Sequence, residues 1–315
     1  PCLGAAGTYQ DDSLAVRAIL DANGVIGKRL SARTVSDSAN GRIIGLYLKA
    51  LRVLPETVGE LDSLRELVVA HGAFEALPQS FTRLQALRYV DLRGSELARL
   101  PDSIGKLQNL EELALGLNVL TGLPASVGKL RNLKVLRVAD NELRSLPRSL
   151  GGLENLEELV VSGNMLSILP VSIGGLRNLK VLMLDDNDFR SLPAAVTDLT
   201  PALGLDLSAN ALCDVPPEVK AWAGTYDPDW GETQDCLGVQ GREDSVVVRA
   251  ILDTLELLDR GAEVKWVTEK AWGRIVSVNL SHRGIAFLPG SVGRLSALRS
   301  LDIQHNSLTT LPASV

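Results

Sequence analysis

Apolar residues recur along this chain in a block that is repeated many times, and residues 110–132 show its internal order. The first part of the block ends in an L-x-L alternation, which predicts a short β-strand with one face buried. The second part has wider apolar spacing and contains a proline, which predicts an outer segment that is a short helical or extended turn. The inward-pointing residues of this block are Leu110, Leu113, Leu115, Leu120, Leu123, Val127 and Leu130.

The block has a fixed period of 23 residues. A Leu-Pro dipeptide, once replaced by Val-Pro, begins at positions 54, 77, 100, 123, 146, 169, 192 and 215, and again at 288 and 311. A fixed period of this length is typical of a solenoid. One repeat cannot bury its apolar side alone, whereas a stack of repeats buries a continuous core. We therefore predict an α/β solenoid.

Asparagine recurs where the chain turns after the strand, as at Asn118. Its amide can donate and accept hydrogen bonds with the backbone of its own turn and of the neighbouring turn. A buried asparagine is costly unless it is satisfied in this way, so a column of asparagines predicts a hydrogen-bonded ladder. The same position holds Gly72 and Ser95 in two early repeats, where we expect a weaker ladder.

The pattern LxxLxLxxNxLxxLPxxIxxLxx resembles the leucine-rich repeat family in its 23-residue form with an LPxxIGxL outer segment. The resemblance covers nearly all of residues 41–222 and 273–315, and ten repetitions make it specific. It implies a horseshoe with a parallel sheet on the concave side. It also implies a role in recognition rather than catalysis, without identifying the ligand.

Residues 1–40 lie outside the repeat and are expected to form an N-terminal cap. A helix is predicted from Asp12 to Asp21, with an acidic start, apolar residues on one face and an end near Asn23-Gly24. A helix followed by a Gly-Arg-Ile strand is similar to the N-terminal cap of secreted plant-type and bacterial leucine-rich repeat proteins. Such a cap covers the apolar end of the first repeat.

A second copy of this organisation follows the first. Residues 41–222 are predicted to form an array of eight repeats, residues 223–272 a linker and a second helical cap, and residues 273–315 a second array of two repeats. The second array ends in mid-repeat at Val315, where we expect an exposed apolar end. Either the chain is truncated there, or another molecule continues the stack.

Composition narrows the classes of function. The net charge of −6 and the pI near 5.3 argue against a protein that binds nucleic-acid phosphates. No run of about 18 apolar residues is present, so no membrane span is expected. The first residues show no basic and apolar leader, so the protein is either cytoplasmic or has lost a signal peptide.

No catalytic constellation or cofactor motif is recognisable, so we expect a protein that is not an enzyme and holds no cofactor or metal. His71, His282 and His305 fall at the strand-to-turn position of three repeats. The last two are 23 residues apart and are expected to be neighbours if the repeats stack. No carboxylate or cysteine with ligand spacing accompanies them, so solvated turn histidines are favoured over a metal pair.

The cysteines indicate the cellular compartment in which the protein is expected. Cys213 takes a surface position of its repeat, next to a segment that carries Cys236, and we predict a disulfide between the two. This bond would favour an oxidising compartment, so an extracellular or cell-surface location is favoured over a cytoplasmic one. Cys2 corresponds to Cys236 in the first copy and has no predicted partner in this chain.

Residues between the strand leucines are expected to face out of the concave sheet in two rows. Eight strands at about 4.8 Å would spread them over roughly 35–40 Å, enough for a protein or a long polymer. Mixed aromatic, basic and acidic residues suit protein binding. The apolar residues are expected to be adjacent, which favours contact with a partner; they are Val135, Val160, Val181 and Met183. This concave surface comprises Tyr47, Glu66, Val68, Tyr89, Asp91, Glu112, Val135, Arg137, Glu158, Val160, Val181, Met183 and Asp206.

Two functions remain open at this point. The first is a non-catalytic scaffold that binds a protein or polymer ligand on the concave surface. The second is a self-assembling extracellular subunit of a surface layer or filament, joined head to tail. The second rests on the duplicated module, the open end at Val315 and the unpaired Cys2.

Overall fold

The computed structural model describes most of the first array and parts of the second. The described residues are 9–24, 33–37, 40–213, 215–234, 247–248, 251–252, 255, 268–271, 274–289, 292, 295, 298–309 and 311–312. The chain divides into two compact units, residues 1–208 with 214–232 and residues 209–213 with 233–315. Most of the predicted second cap helix lies outside the described residues.

A nine-stranded sheet forms the first unit, with its strands in chain order. The strands are β1 (Arg33–Ser36), β2 (Ile43–Lys49), β3 (Glu66–Ala70), β4 (Tyr89–Asp91), β5 (Glu112–Ala114), β6 (Val135–Arg137), β7 (Glu158–Val160), β8 (Val181–Met183) and β9 (Gly204–Asp206). Neighbours from β2 to β9 are parallel, which confirms the predicted solenoid with a parallel sheet. Strand β1 was not predicted, because its four mostly exposed residues show no apolar alternation, and it pairs antiparallel with β2.

The outer segments are short 3-10 helices, most of which follow the proline of the repeat. They run Glu56–Glu60, Gln79–Arg83, Ile104–Lys106, Ala125–Lys129, Arg148–Gly152, Val171–Gly175 and Ala194–Asp198. Glycine is needed where adjacent outer segments touch. A Cβ on Gly128 would lie 2.0 Å from the carbonyl oxygen of Ser149 in the next repeat. The core lies between these helices and the sheet, and strand leucines such as Leu136 are fully buried in it.

Asparagine side chains form the predicted ladder after the strands. Asn141 Nδ2 donates to the carbonyl oxygens of Leu115, in the preceding repeat, at 2.9 Å and of Val138 at 3.1 Å. Its Oδ1 accepts the N–H of Leu120 at 3.0 Å. The same arrangement recurs at Asn118, Asn164 and Asn187.

The ladder changes in the two early repeats where Gly72 and Ser95 replace the asparagine. Ser95 Oγ donates to the carbonyl oxygen of Val69 at 3.2 Å, so a hydroxyl takes over one bond of the asparagine amide. Gly72 has no side chain to contribute, and the Phe74 ring fills its place, since a Cβ on Gly72 would lie 2.3 Å from Phe74 Cε1. At Gly72, apolar packing therefore takes the place of the polar ladder.

The residue before each ladder position has a left-handed backbone, which we did not predict. The φ angle is +58° at Asp140 and +54° at both Asp186 and His71. This conformation is costly for most residues and suits glycine, aspartate and asparagine. Gly94 and Gly163 occupy the same position in two other repeats. These two glycines are the feature of the sequence that could have indicated a left-handed backbone there.

Helix α1 (Tyr9–Ala22) packs against the first repeat, and it ends at Ala22, just before Asn23 and Gly24, near which its end was predicted. The Asp12 carboxylate is fully buried and accepts two hydrogen bonds from the Arg42 guanidinium, each of 2.8 Å. Asp12 also accepts the N–H of Ile43 at 2.7 Å, at the start of β2. The buried pair therefore fixes the helix on the first repeat, because separating it would leave a charge unpaired.

Helix α2 (Pro217–Tyr226) follows β9, and its last residues, 223–226, fall in the segment that we had assigned to the linker. The Trp222 indole N–H donates to the Leu199 carbonyl oxygen at 2.9 Å. Asp227 Oδ2 accepts the N–H of Leu207 at 3.0 Å, just beyond β9. The helix therefore satisfies polar groups of the last repeat as well as covering its apolar side.

The second unit contains β10 (Thr268–Ala271), β11 (Arg274–Asn279) and β12 (Ser300–Asp302). β10 is antiparallel to β11, and β11 is parallel to β12, so the described strands repeat the order of the first array. Asn306 Nδ2 donates to the Leu280 carbonyl oxygen at 2.8 Å, as in the first ladder. Within the described part of the chain, no helix has the length and apolar character needed to cross a bilayer.

Candidate functional site

Strand register aligns the residues of the concave surface in two rows along β2 to β9. In one row Val135 lies between Glu112 and Glu158. In the other, Val160 lies beside Met183. All the residues predicted for this surface lie on these strands. Their role in binding stays a prediction.

Arg137 is held between two carboxylates on the flanking strands. Its Nε and Nη2 donate to the two oxygens of Glu158 at 2.6 and 3.0 Å, and its Nη1 donates to Glu112 at 2.5 Å. Burial alone would lower the pKa of Arg137, but Glu158 and Glu112 raise it above its ordinary value. The guanidinium is therefore occupied and is not available as a free cation for an anionic ligand.

The N-terminal end of the surface is also internally bonded. The Tyr47 hydroxyl donates to Glu66, and this hydrogen bond raises the pKa of Tyr47. The Arg33 guanidinium lies 5.3 Å from the centre of the Tyr47 ring, within cation–π range. Asp91 is almost fully buried and accepts hydrogen bonds from Arg93, with a shortest distance of 2.8 Å. These side chains form a rigid polar half of the sheet.

Apolar side chains occupy the opposite half. We call Val160, Val181 and Met183 the apolar patch, and all three are partly exposed. The Met183 methyl lies over Gly204 on β9, since a Cβ there would be 2.8 Å from it. Val135 was expected to adjoin these residues, but Glu158 lies between Val135 and Val181. The patch is therefore smaller than predicted and lies towards β9.

Two carboxylates border the apolar patch. Asp206 is the strand neighbour of Met183, and Asp185 lies two residues beyond Met183. Burial and the charge of Asp206 raise the pKa of Asp185 to about 6, although Ser162 donates a hydrogen bond of 2.5 Å to it. We did not predict Asp185 as a site residue, because it follows the L-x-L alternation instead of lying within it.

Two of the three histidines lie next to each other in the fold. The rings of His282 and His305 lie 4.1 Å apart between centroids with a tilt of 30°, which confirms that they are neighbours. His71 belongs to the other unit. Among the described residues, no group of three or more histidines, cysteines and carboxylates could hold a metal ion.

Cys213 is disulfide-bonded. The other two cysteines, Cys2 and Cys236, both lie outside the described residues. The pairing of Cys213 with Cys236 therefore stays a prediction.

A separate polar groove of about 550 Å³ lies along the edge of the array and is lined by one asparagine and one charged residue per repeat. Asn132 Nδ2 donates to the Gln108 carbonyl oxygen at 2.8 Å. Glu111 pairs with Lys134 at 2.7 Å and with Arg88 at 2.8 Å, and these cations lower the pKa of Glu111. The groove is therefore a second, exposed ladder between repeats whose charges neutralise one another.

Comparisons with known proteins agree with this architecture. A family model described as a leucine-rich repeat region matches residues 82–167. No curated protein matches the chain.

Several solved structures are similar. The PEPR1–AtPEP1 crystal structure has a TM-score of 0.55 at 22% identity, over 96% of this chain and 42% of that one. A plant ice-binding protein has a TM-score of 0.51 at 22% identity, over 66% of this chain and 80% of that one. A leucine-rich repeat protein of Leptospira interrogans is 26% identical over 84% of this chain and 72% of its own, with a TM-score of 0.42. The first two likenesses concern the fold alone.

Proposed function

We propose that this leucine-rich repeat protein is a non-catalytic scaffold that binds a protein partner on its concave surface. The observation that carries the proposal is the apolar patch, where Val160, Val181 and Met183 are partly exposed together and are bordered by Glu158 and Asp206. Apolar surface rimmed by polar groups is typical of protein interaction sites. The core of such interfaces is poor in free charges and enriched in residues such as methionine.

Size and rigidity support the same proposal. Strands β2 to β9 span about 34 Å at 4.8 Å per strand, which fits an extended segment of about ten residues. The clamp of Arg137 between Glu112 and Glu158 fixes the side chains at the centre of this surface. A surface that is already ordered loses little conformational entropy when a partner binds.

We also propose an extracellular or cell-surface location. The disulfide at Cys213 supports it, because disulfides persist mainly in oxidising compartments. The filament alternative receives no support from the described residues or from the comparisons.

Selection of peptides tests the binding proposal. Short random peptides displayed on phage are selected on the full chain, and the selected peptides are measured against two variants. Met183→Glu places a charge in the apolar patch. Ile168→Glu is the matched control, because Ile168 is 70% exposed and lies off the sheet.

We expect Met183→Glu to weaken binding of the selected peptides at least about tenfold and Ile168→Glu to leave it unchanged. Peptides that bind both variants like the wild-type protein would contradict a concave binding surface. A library that yields no peptide dependent on the sheet would contradict it as well.

A further inference from the structure

The concave surface carries an excess of negative charge. The alternation of its two rows extends to the residues two positions after them, which adds Lys49, Arg93 and Asp185. Six carboxylates then share the surface with three cations. The carboxylates are Glu66, Asp91, Glu112, Glu158, Asp185 and Asp206, and the cations are Lys49, Arg93 and Arg137.

Two of the three cations are already engaged. Arg93 binds Asp91, and Arg137 binds both Glu112 and Glu158. Lys49 lies at the end of β2, at the opposite end of the array from β9. The negative charge near β9 is therefore not compensated by the cations of this surface.

Asp185 and Asp206 carry this uncompensated charge. Among the described residues neither forms an ion pair. Asp206 accepts the N–H of Ser208 at 2.9 Å, and Asp185 accepts the hydroxyl of Ser162. Both carboxylates adjoin Met183, so they border the apolar patch on the same side.

The ionised form of Asp185 is disfavoured at this position. Its pKa is raised to about 6 by burial and by the nearby charge of Asp206, and Asp186 adds to the effect. Ser162 faces it from the neighbouring repeat and lowers the pKa only in part. A perturbed carboxyl group beside an open patch is a candidate for a functional position.

We infer that the partner is a peptide segment that places a lysine or arginine side chain against Asp185 and Asp206 and apolar side chains on the apolar patch. The inference rests on the proposed function, because it specifies the partner of the same surface. Charge complementarity selects this occupant over an acidic segment. A second copy of this chain fits poorly, because its concave surface has the same sign of charge and the whole chain carries −6.

The peptide selection at neutral pH supplies the probe. The selected peptides are sequenced and synthesised, and their affinities are measured by calorimetry for the wild-type chain and for the double variant Asp185→Asn with Asp206→Asn. The matched control is Asp102→Asn with Glu154→Gln, which removes the same charge from exposed positions off the sheet.

We expect selected peptides to combine lysine or arginine with neighbouring apolar residues. Their affinity should fall about tenfold in the Asp185 and Asp206 double variant and should stay within about twofold in the control. Binding should also weaken below the pKa of Asp185, because a cation prefers the ionised carboxylate. This pH dependence should disappear in Asp185→Asn alone.

Other outcomes separate this inference from the function on which it rests. Peptides that depend on Met183 but lack cations, or that ignore the double variant, would overturn the cationic partner and leave the concave surface as a binding site. Dimers that Met183→Glu dissociates would identify a second copy as the occupant and overturn the inference. A selection without peptides that depend on Met183 would overturn both proposals.

Discussion

The guanidinium of Arg137 binds both oxygens of the Glu158 carboxylate across the boundary between two repeats, at 2.6 and 3.0 Å. The third contact, from Nη1 to Glu112, extends the link to the strand on the other side. Sequence analysis placed Arg137 among residues that would contact a ligand. The structure shows that its donors are used within the sheet, so Arg137 contributes order to the surface rather than a free charge.

Reversing the charge of Arg137 should destabilise the array. In Arg137→Glu three carboxylates would lie in diagonal contact on adjacent strands, and like charges repel at this range. We expect a loss of about 1–2 kcal/mol in the free energy of unfolding, measured by urea denaturation. The control is Arg131→Glu, at an exposed position off the sheet. An equal loss in both variants would show that the clamp has no special role.

Removing one ladder asparagine should lower the free energy of unfolding more than Arg137→Glu does. Asn141→Ala would leave the buried N–H of Leu120 without a partner. It would also remove one of the two amide donors of the Leu115 carbonyl oxygen, which keeps its bond from Asn118. We expect a loss of about 2–4 kcal/mol, since one unsatisfied buried donor costs about 1–3 kcal/mol and the lost hydrogen bonds to carbonyl oxygens add about 1 kcal/mol. Asn132→Ala is the control, because its single bond to Gln108 is exposed. Similar thermal unfolding of the two variants would refute a buried ladder as a main source of stability.

The raised pKa of Asp185 predicts a pH-dependent cost in stability. The folded state binds the proton more tightly than the unfolded chain, so stability falls as pH rises from about 4 to about 6 and stays low above that range. Asp185→Asn should therefore be more stable than the wild-type protein at neutral pH, by about 1–3 kcal/mol. The gain should vanish below pH 4 or so, where the aspartic acid is neutral. Thermal unfolding across this range checks it, with Asp102→Asn as the control, and a gain independent of pH would contradict the assigned cause.

The disulfide of Cys213 should join Cys236. Peptide mapping of the native chain without reductant is expected to find one linked pair and a free thiol at Cys2. A free thiol at Cys213 would remove the support for an oxidising compartment. A bond between Cys213 and Cys2 would keep that support but disprove the predicted pairing.

Much of the fold could be predicted from the sequence because the same apolar and asparagine positions recur in successive repeats. The L-x-L alternation located every strand from β2 to β9, and Asn118 and its counterparts indicated the ladder. Features that occur once were missed. The four residues of β1 carry no periodic signal, and the start of α2 at Pro217 is indistinguishable from the Pro-marked outer segment of another repeat.

The positions of the residues in the concave rows could be predicted, but not which of their side chains are paired with one another. Alternation decides which residues face outward, so Val160 and Met183 were placed correctly on the surface. It does not decide which charges find partners, because that depends on side-chain reach between strands. The ion pairs of Arg137 with Glu112 and Glu158 were therefore not predicted. Asp185 was missed, since its importance comes from burial and from Asp206, which adjoins it only in the folded sheet.

Site-specific cross-linking tests the central claim most directly. A photoreactive phenylalanine analogue replaces Met183 in one chain and Ile168 in another, and each is irradiated with a selected peptide. The concave binding surface predicts a cross-linked product from position 183 and none from position 168, which is exposed but lies off the sheet. Cross-links from position 168 without any from position 183 would contradict it.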